Sequence, residues 1–386
     1  MCPSWLTKRY ALLLPIGFVF FTSIYVVRIQ EDMADFRVNY QAGERLRAGE
    51  GLYRTEDGHF MFKYLPFSAL LYVPLSFLPL EVAKAMWYVA LVCGSITLFY
   101  LSSRIVAGEN LESKALYVFP PLILAKFFFR EMKLGQINII VTLALLGMVW
   151  FLISTPNGQP RNAKRAGLLW GLGTALKPYG LIFLPYFVVK KQWAALAAGF
   201  SVIILALLLP SFFYGFTRNL VALREWAATL SQSTPKLLLS NDNISIVAFL
   251  MKWTGHQNLS WLLTGVTVGA LAVLVLLVIR AGAHVGEPVA LECSLLLTLI
   301  PLVSPLGWDY TLLMSVLAVT LIVKNYNHYS RLWRAVLILN FVMIALSIYD
   351  LIGPTYYGMF MAWSILTINF LVVVGLLVGL RFRKLA

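Results

Sequence analysis

Apolar runs separated by short polar breaks repeat along the whole chain. They occupy 10–27, 83–102, 115–129, 137–153, 166–176, 178–189, 193–210, 260–279, 289–305, 309–323, 334–350 and 360–380. Runs of this kind predict membrane-spanning helices, so the expected fold class is an all-α polytopic membrane protein of about twelve helices. A further apolar stretch, 62–80, is short and carries Pro66, Pro74 and Pro79. It predicts a juxtamembrane or re-entrant segment, since proline interrupts the helical ladder. No stretch is polar for long enough to build a soluble domain. Residues 1–386 therefore read as one membrane domain, with a first outer loop at 29–82 and a long outer segment at 211–258.

Composition agrees with the pattern. Hydrophobic types make up 60% of the 386 residues and charged types 12%, against about 25% charged in a soluble domain. Mean hydropathy is +0.79. A net charge of +14 would suggest nucleic acid in a soluble chain. Here it suits the cytoplasmic loops of a membrane protein, and no nucleic-acid partner is expected. Lys8 and Arg9 precede the first run, which lacks a convincing cleavage site and is expected to remain as helix 1. Threading outward from there puts Arg104, Lys114, Arg161, Lys164, Arg165, Lys190, Lys191, Arg280, Lys324, Arg331, Arg334, Arg381, Arg383 and Lys384 inside. A full crossing at 62–80 would reverse every later loop and destroy that asymmetry. The expected location is the cytoplasmic membrane.

The same threading sends the chemically unusual segments outward. These are the acidic stretch "QEDMADFRVNYQAGERLRAGEGLYRTEDGHF" (30–60), "FFREMKLGQIN" (128–138), "ALKPYG" (175–180), "SNDNIS" (240–245) and "SPLGWDY" (304–310). Polar groups from distant segments meeting at one end of a bundle form a candidate site. Lys177 lies between two apolar runs, and a cation at membrane depth costs roughly 2.5–3.5 kcal/mol on insertion scales. Pro178 disfavours helix at Lys177, and a broken helix is tolerated where it lines a cavity. That favours an anion site at Lys177, the plain alternative being a lysine snorkelling to the surface. Arg130 and Lys133, followed by Gln136 and Asn138, suit a phosphate; the plain alternative is an outer loop with two stray cations. Asp35, just past helix 1 and near Asn39 and Tyr40, is a candidate proton acceptor. Asp32 is its rival, Asp309 is a second possible carboxylate, and all the loop acids could simply be solvated.

No nucleotide-binding glycine loop and no H-E-x-x-H motif is present. His59, His256, His284 and His328 are scattered, so neither a metal site nor a cofactor is expected. Cys2, Cys93 and Cys293 have no metal or redox spacing and read as packing residues.

The first loop carries a resemblance. "DFRVNYQAGERLRAGEGLY" followed by "FKYLP" resembles the first-loop signature of glycosyltransferase family 87, through Asp35, Phe36, Tyr40, Ala42, Gly43, Gly49, Leu52, Tyr53, Phe62, Tyr64 and Pro66. "GQIN", "AGLLWGLGTALKPYG", "NDNIS" and "SPLGWD" follow in the family's order, so the likeness covers about the first 310 residues. The resemblance implies a GT-C-type bundle with outward-facing loops and juxtamembrane helices. It implies an inverting glycosyltransferase that moves a sugar from a polyprenyl-phosphate donor to a lipid or glycan acceptor at the outer face. It implies a hexosyl- or pentosyltransferase, with mannosyl and arabinofuranosyl transfer as the family's activities and mannose as the first choice of sugar. It makes Asp35 the general base, and Lys177, Arg130 and Lys133 the cations for the leaving phosphate. Tyr40, Tyr64, Gln136, Asn138, Asn241, Asn243, Trp308, Asp309 and Tyr310 are the expected substrate contacts. Relatives continue S-P-x-S-W-x-H-H, where this chain has Gly307, Tyr310 and Thr311, so histidine contacts do not carry over. A transporter of lipid-linked sugars would use a similar cationic groove, but should show paired broken helices. A non-catalytic assembly subunit would not need Asp35.

Overall fold

The computed structural model describes residues 13–108, 113–154, 160–281 and 288–382. Lys8, Arg9, Arg383, Lys384, Cys2 and His284 lie outside the described residues. Among the described residues no strand forms, and one isolated antiparallel bridge joins Asn243 to Trp308.

The N-terminal helix α1 (Leu13–Ile24) unwinds into a π turn at Tyr25–Ile29. The first polar loop is itself helical: α2 is Ala34–Arg47 and α3 is Pro66–Leu70. Within 62–80 only α3 and a single 3₁₀ turn at Leu75–Phe77 form, so the proline-broken stretch is too short to span. Then come α4 (Leu80–Ala107), α5 (Ala115–Leu134), α6 (Asn138–Ile153) and α7 (Pro160–Leu176). After the break at Lys177 follow a 3₁₀ turn (Pro178–Phe183), α8 (Leu184–Val189) and α9 (Trp193–Leu208). The long polar segment holds α10 (Ser211–Tyr214), the amphipathic α11 (Phe216–Leu237) and α12 (Ile246–Thr254). The C-terminal part contains α13 (Gln257–Arg280), α14 (Pro288–Val303), α15 (Val316–Lys324), α16 (Arg331–Leu346), α17 (Tyr349–Ala362) and α18 (Ile365–Phe382).

Four described helices are long and apolar enough to cross a bilayer: Leu80–Ala107, Trp193–Tyr214, Gln257–Arg280 and Ile365–Phe382. A fifth crossing results if α16 and α17, bent by 104° to each other, are one span. In α13 only 17% of the apolar window is buried, so its apolar surface suits lipid rather than core. Several expected boundaries shift. The run at 115–129 continues as helix to Leu134, because nothing breaks it before Gly135, so Arg130 and Lys133 are helical rather than loop residues. The run at 334–350 stops at Leu346, and the last helix starts at Ile365 after a left-handed Ser364. The run at 309–323 begins as a 3₁₀ turn and becomes α-helical only at Val316. Cys293 is buried, but Cys93 is exposed and does not pack in the core.

At the centre is α14, buried on every side from Ala290 to Leu302, as an all-round apolar helix must be. Its one acid, Glu292, is fully buried and bonds Lys190 and Arg381, each at 2.9 Å. Glu292 lies about 16 Å along α14 from its C-terminus, where "SPLGWDY" begins. Arg104, Arg165, Arg280 and Lys324 also stand near helix ends remote from the unusual segments. Basic residues are not confined to that end, since Arg28, Lys63, Lys126, Arg130, Lys133 and Lys177 lie at the other.

The break at Lys177 is held by glycines. A Cβ on Gly167 would fall 2.1 Å from the Ala195 carbonyl oxygen, one on Gly171 2.5 Å from that of Gly199, and one on Gly199 2.2 Å from the Trp170 ring. This small-residue seam lets α7 and α9 touch backbone to backbone. Trp170 Nε1 then donates to the Gly180 carbonyl at 2.6 Å, fixing the chain just after the break. Gly167→Val should therefore destabilise the protein by about 1–3 kcal/mol or more, read as a lower melting temperature in detergent. An unchanged melt would refute the close crossing.

Candidate active site

Asp35 stands in the first turn of α2, where a carboxylate gains from the helix dipole. Met33 before it adopts a left-handed conformation (φ 51°), uncommon for a non-glycine residue. It is fully buried, and its N–H donates to the Lys133 carbonyl at 2.9 Å. The start of α2 is thereby tied to the end of α5.

Gly135 closes α5 with φ +69°, the left-handed cap that glycine takes most readily. A Cβ there would lie 2.6 Å from the Phe36 Cβ, so the two segments meet where only glycine fits. That approach brings the next residue, Gln136, against Asp35. Gln136 Nε2 donates to Asp35 Oδ2 at 2.7 Å and to the Tyr310 hydroxyl at 3.2 Å. Its Oε1 accepts from the Tyr64 hydroxyl at 2.8 Å. One amide thus orients the carboxylate and joins four distant segments.

Lys177 has extended backbone (φ −151°, ψ 126°), as a residue before proline prefers. Its ammonium is buried, donates to Asn138 Oδ1 at 2.7 Å and lies over the rings of Tyr64 and Tyr179. Asn138 Nδ2 in turn donates to buried Glu131 at 2.9 Å. Arg130 forks between Asp309 at 2.5 Å and Asp242 at 2.7 Å.

These groups surround a cavity of about 580 Å³, lined by Asp35, Tyr64, Arg130, Gln136, Lys177, Trp308 and Tyr310. Seven of the residues singled out in the sequence therefore converge. Trp308 and Tyr310 stack at 9° between ring planes. The other six lie elsewhere. Tyr40 is a core residue whose hydroxyl donates to the Leu78 carbonyl at 2.7 Å. Asn138 sits behind Lys177 as its partner. Asn243 is a clamp: its side chain bonds the backbone of Leu238, Pro305, Ser245 and Gly307, which knits the 240–245 loop to 304–310. Asn241 is exposed at a neighbouring chamber. Asp309 is buried and faces that chamber, held by Arg130. Lys133 is at the surface of the same chamber, 3.4 Å from Asp32. Asp32, the rival carboxylate, does not line the Asp35 cavity.

Some lining groups were not singled out in the sequence. Asn39, one turn after Asp35 and named above only as its neighbour, lines the cavity and is almost fully buried beside Tyr72. The i, i+4 spacing was its signal. Lys63 also lines the cavity; burial pushes its ammonium below the usual lysine value and nearby Asp35 pulls it back up. Trp226, Leu230 and Leu237 of α11 form a roof, which Trp226 anchors by donating to the Lys63 carbonyl at 3.2 Å.

Residues 62–305, more than half of the chain, match the profile of glycosyltransferase family 87. A polyprenol-phosphate-mannose-dependent alpha-(1-2)-phosphatidylinositol pentamannoside mannosyltransferase from Mycolicibacterium smegmatis is 24% identical over 188 residues. The match covers 46% of this chain and 43% of that protein, so the chain spans less than half the length of this relative. ArnT from Cupriavidus metallidurans bound to undecaprenyl phosphate superposes with a TM-score of 0.44 at 12% identity, over 97% of this chain and 78% of that one. Its apo form gives 0.43 at 13%, over 98% and 78%.

The Gly135 approach can be tested against Gly255, which has nearly the same φ (+67°) in open space. Gly255→Ala should cost only the left-handed backbone penalty of roughly 1–2 kcal/mol. Gly135→Ala should lose more, because Phe36 must also move. Equal losses in thermal or denaturant unfolding would show that the Phe36 contact is not limiting.

Proposed function

This chain belongs to glycosyltransferase family 87, and on that premise we propose that it transfers a sugar from a polyprenyl-phosphate donor to a hydroxyl of a lipid or glycan acceptor. The observation that carries the reading is the meeting of one oriented carboxylate, Asp35, with the cations Arg130 and Lys177 around a single cavity. In the reaction an acceptor oxygen attacks the anomeric carbon. The bond from that carbon to the phosphate oxygen breaks, and its electron pair leaves with the phosphate. Asp35 takes the acceptor proton. Attack opposite the leaving group inverts the anomeric configuration. Fixed cations aimed at the developing phosphate charge suit a site with little water to reorganise. Gln136 holds Asp35 in place and is itself held by the Tyr64 hydroxyl.

Mannose as the sugar draws support from the name of the mycobacterial relative. The stacked Trp308 and Tyr310 rings suit the apolar face of a sugar. The protein belongs, on this reading, in the cytoplasmic membrane among membrane lipids, with the Asp35 end of a GT-C-type bundle outside. The basic residues at the opposite helix ends support that orientation.

Asp35→Asn is nearly isosteric but cannot accept the proton. Turnover with polyprenyl-phosphate mannose should fall by about 10²–10⁴-fold, while Asp32→Asn, at the Lys133 surface pair, stays close to wild type. Normal turnover by Asp35→Asn would eliminate the general-base assignment. Orientation is read by placing single cysteines at Glu56 and Arg165 in intact cells. Position 56 should label with an impermeant reagent and position 165 only after permeabilisation; the reverse would invert the topology.

A further inference from the structure

Glu131 is a fully buried acid that takes no part in the reaction proposed for the site. It stands in the last turn of α5, between Arg130 and the Gly135 cap. A buried carboxylate is costly unless donors meet it, and here both oxygens are met. Oε1 accepts from the Ile139 backbone N–H at 3.2 Å, and Oε2 accepts from Asn138 Nδ2 at 2.9 Å. The first bond caps α6 from outside, because Ile137 at its own cap position has no side chain that can accept. The second bond goes beyond what a cap requires.

An asparagine amide has an acceptor oxygen at one end and a donor N–H2 at the other, and the two ends have nearly the same shape. At Asn138 the choice between them is forced. The Lys177 ammonium can only donate, and an ionised carboxylate can only accept. The amide therefore turns its oxygen to Lys177, at 2.7 Å, and its nitrogen to Glu131. Asn138 and Glu131 have no exposed surface, so a bond lost there is not replaced by bulk water. Lys177 also lies over the Tyr64 ring, and the Tyr64 hydroxyl bonds Gln136, which orients Asp35. A displaced ammonium would therefore disturb both halves of the site.

We propose that Glu131 is the positioning residue for Lys177: it fixes the Asn138 amide with its oxygen toward the ammonium, and so holds the cation where the leaving phosphate gathers charge. The proposal rests on the glycosyltransferase reading. Glu131 touches neither substrate and acts through Asn138. An acid placed directly against Lys177 would neutralise the cation that the phosphate needs. Set back behind a neutral amide, Glu131 supplies the countercharge while Asn138 takes one of the three ammonium donors. The other donors are left for the phosphate.

The test uses the full chain in detergent, with turnover of polyprenyl-phosphate mannose and direct binding of undecaprenyl phosphate as the two readouts. Glu131→Gln is nearly isosteric, but its new N–H2 must face the Ile139 N–H or the Asn138 N–H2. The collision is relieved only if Asn138 turns over and points its own N–H2 at Lys177. Turnover should fall by about 10²-fold, and undecaprenyl phosphate binding should weaken by about tenfold. Asn138→Asp sets two carboxylates against each other and should lose as much. Glu131→Gln combined with Asn138→Asp moves the negative charge one step along the line. Every donor again faces an acceptor, and most of the turnover and binding should return. Lys177→Met loses turnover by itself, and adding Glu131→Gln to it should cost less than about threefold more, since the two act as one unit.

Unchanged turnover and binding in Glu131→Gln would overturn the proposal. So would a combined variant no better than Glu131→Gln, or a loss that multiplies with that of Lys177→Met. A residue that only caps α6 gives those last two results, because Asn138→Asp does nothing for the cap. Direct binding needs no turnover. A wild type that turns over no sugar donor, while binding is lost in Glu131→Gln and recovered in the combined variant, would refute the glycosyltransferase reading and leave the role of Glu131 standing.

Discussion

Between Phe36 and Gly135 there is no room for a methyl group, and the arrangement of the whole site follows from that approach. A Cβ on Gly135 would fall inside the Phe36 side chain, while the neighbouring Met33 N–H is bonded to the Lys133 carbonyl. The start of α2 and the end of α5 are therefore locked at backbone distance. One residue further on each strand of chain are Asp35 and Gln136, which must then meet. Tyr64 and Tyr310 reach the same amide from two other segments. Trp87 donates to the Gly135 carbonyl from α4 and secures the turn from behind. A shift of a few tenths of an ångström at Gly135 would move the hub that orients the carboxylate.

The second constraint is how charges are accommodated in an apolar bundle. Isolated buried charges are expensive, so each must be paired or hydrogen-bonded. Glu292 is held between Lys190 and Arg381 at one end. At the other end Arg130 is shared by Asp309 and Asp242, and Lys177 is linked through Asn138 to Glu131. These pairings leave the cations in defined positions. Arg130 lines two cavities, and Asp242 and Asp309, which pair with its fork, line them as well. Lys126 differs in that both of its hydrogen bonds go to a neutral residue, Ser347.

Much of this was legible before folding. Apolar runs located most of the core helices but not α2 or α11, which lie in the polar outer segments, and basic residues marked one set of helix ends. The break at Lys177 followed from Pro178 and a cation in an apolar run. The candidacy of Asp35, Arg130, Gln136 and Lys177 followed from polar residues gathering at the other helix ends and from the resemblance, and the structure places the four around one cavity. Lys126 was passed over although it interrupts an apolar run as visibly as Lys177 does. Asn243 and Tyr40 sat in the right motifs for another reason: one clamps a loop and the other closes the core under α2. A motif records that a residue type is required, not whether substrate or backbone requires it.

The sequence by itself determined that the chain is helical, that it belongs to a membrane, and that its polar segments share one end. Those properties come from local periodicity and from the cost of charge in lipid, which act on short stretches. Only the tertiary structure decided which polar side chains meet. It assigned Asp309 and Lys133 to the chamber beyond Arg130, gave Gln136 the role of hub, and split the expected phosphate cations between two cavities. Those outcomes depend on packing between segments far apart in the chain, such as Phe36 on Gly135 and α7 on α9, where a clash of less than an ångström settles the geometry and no local pattern records it.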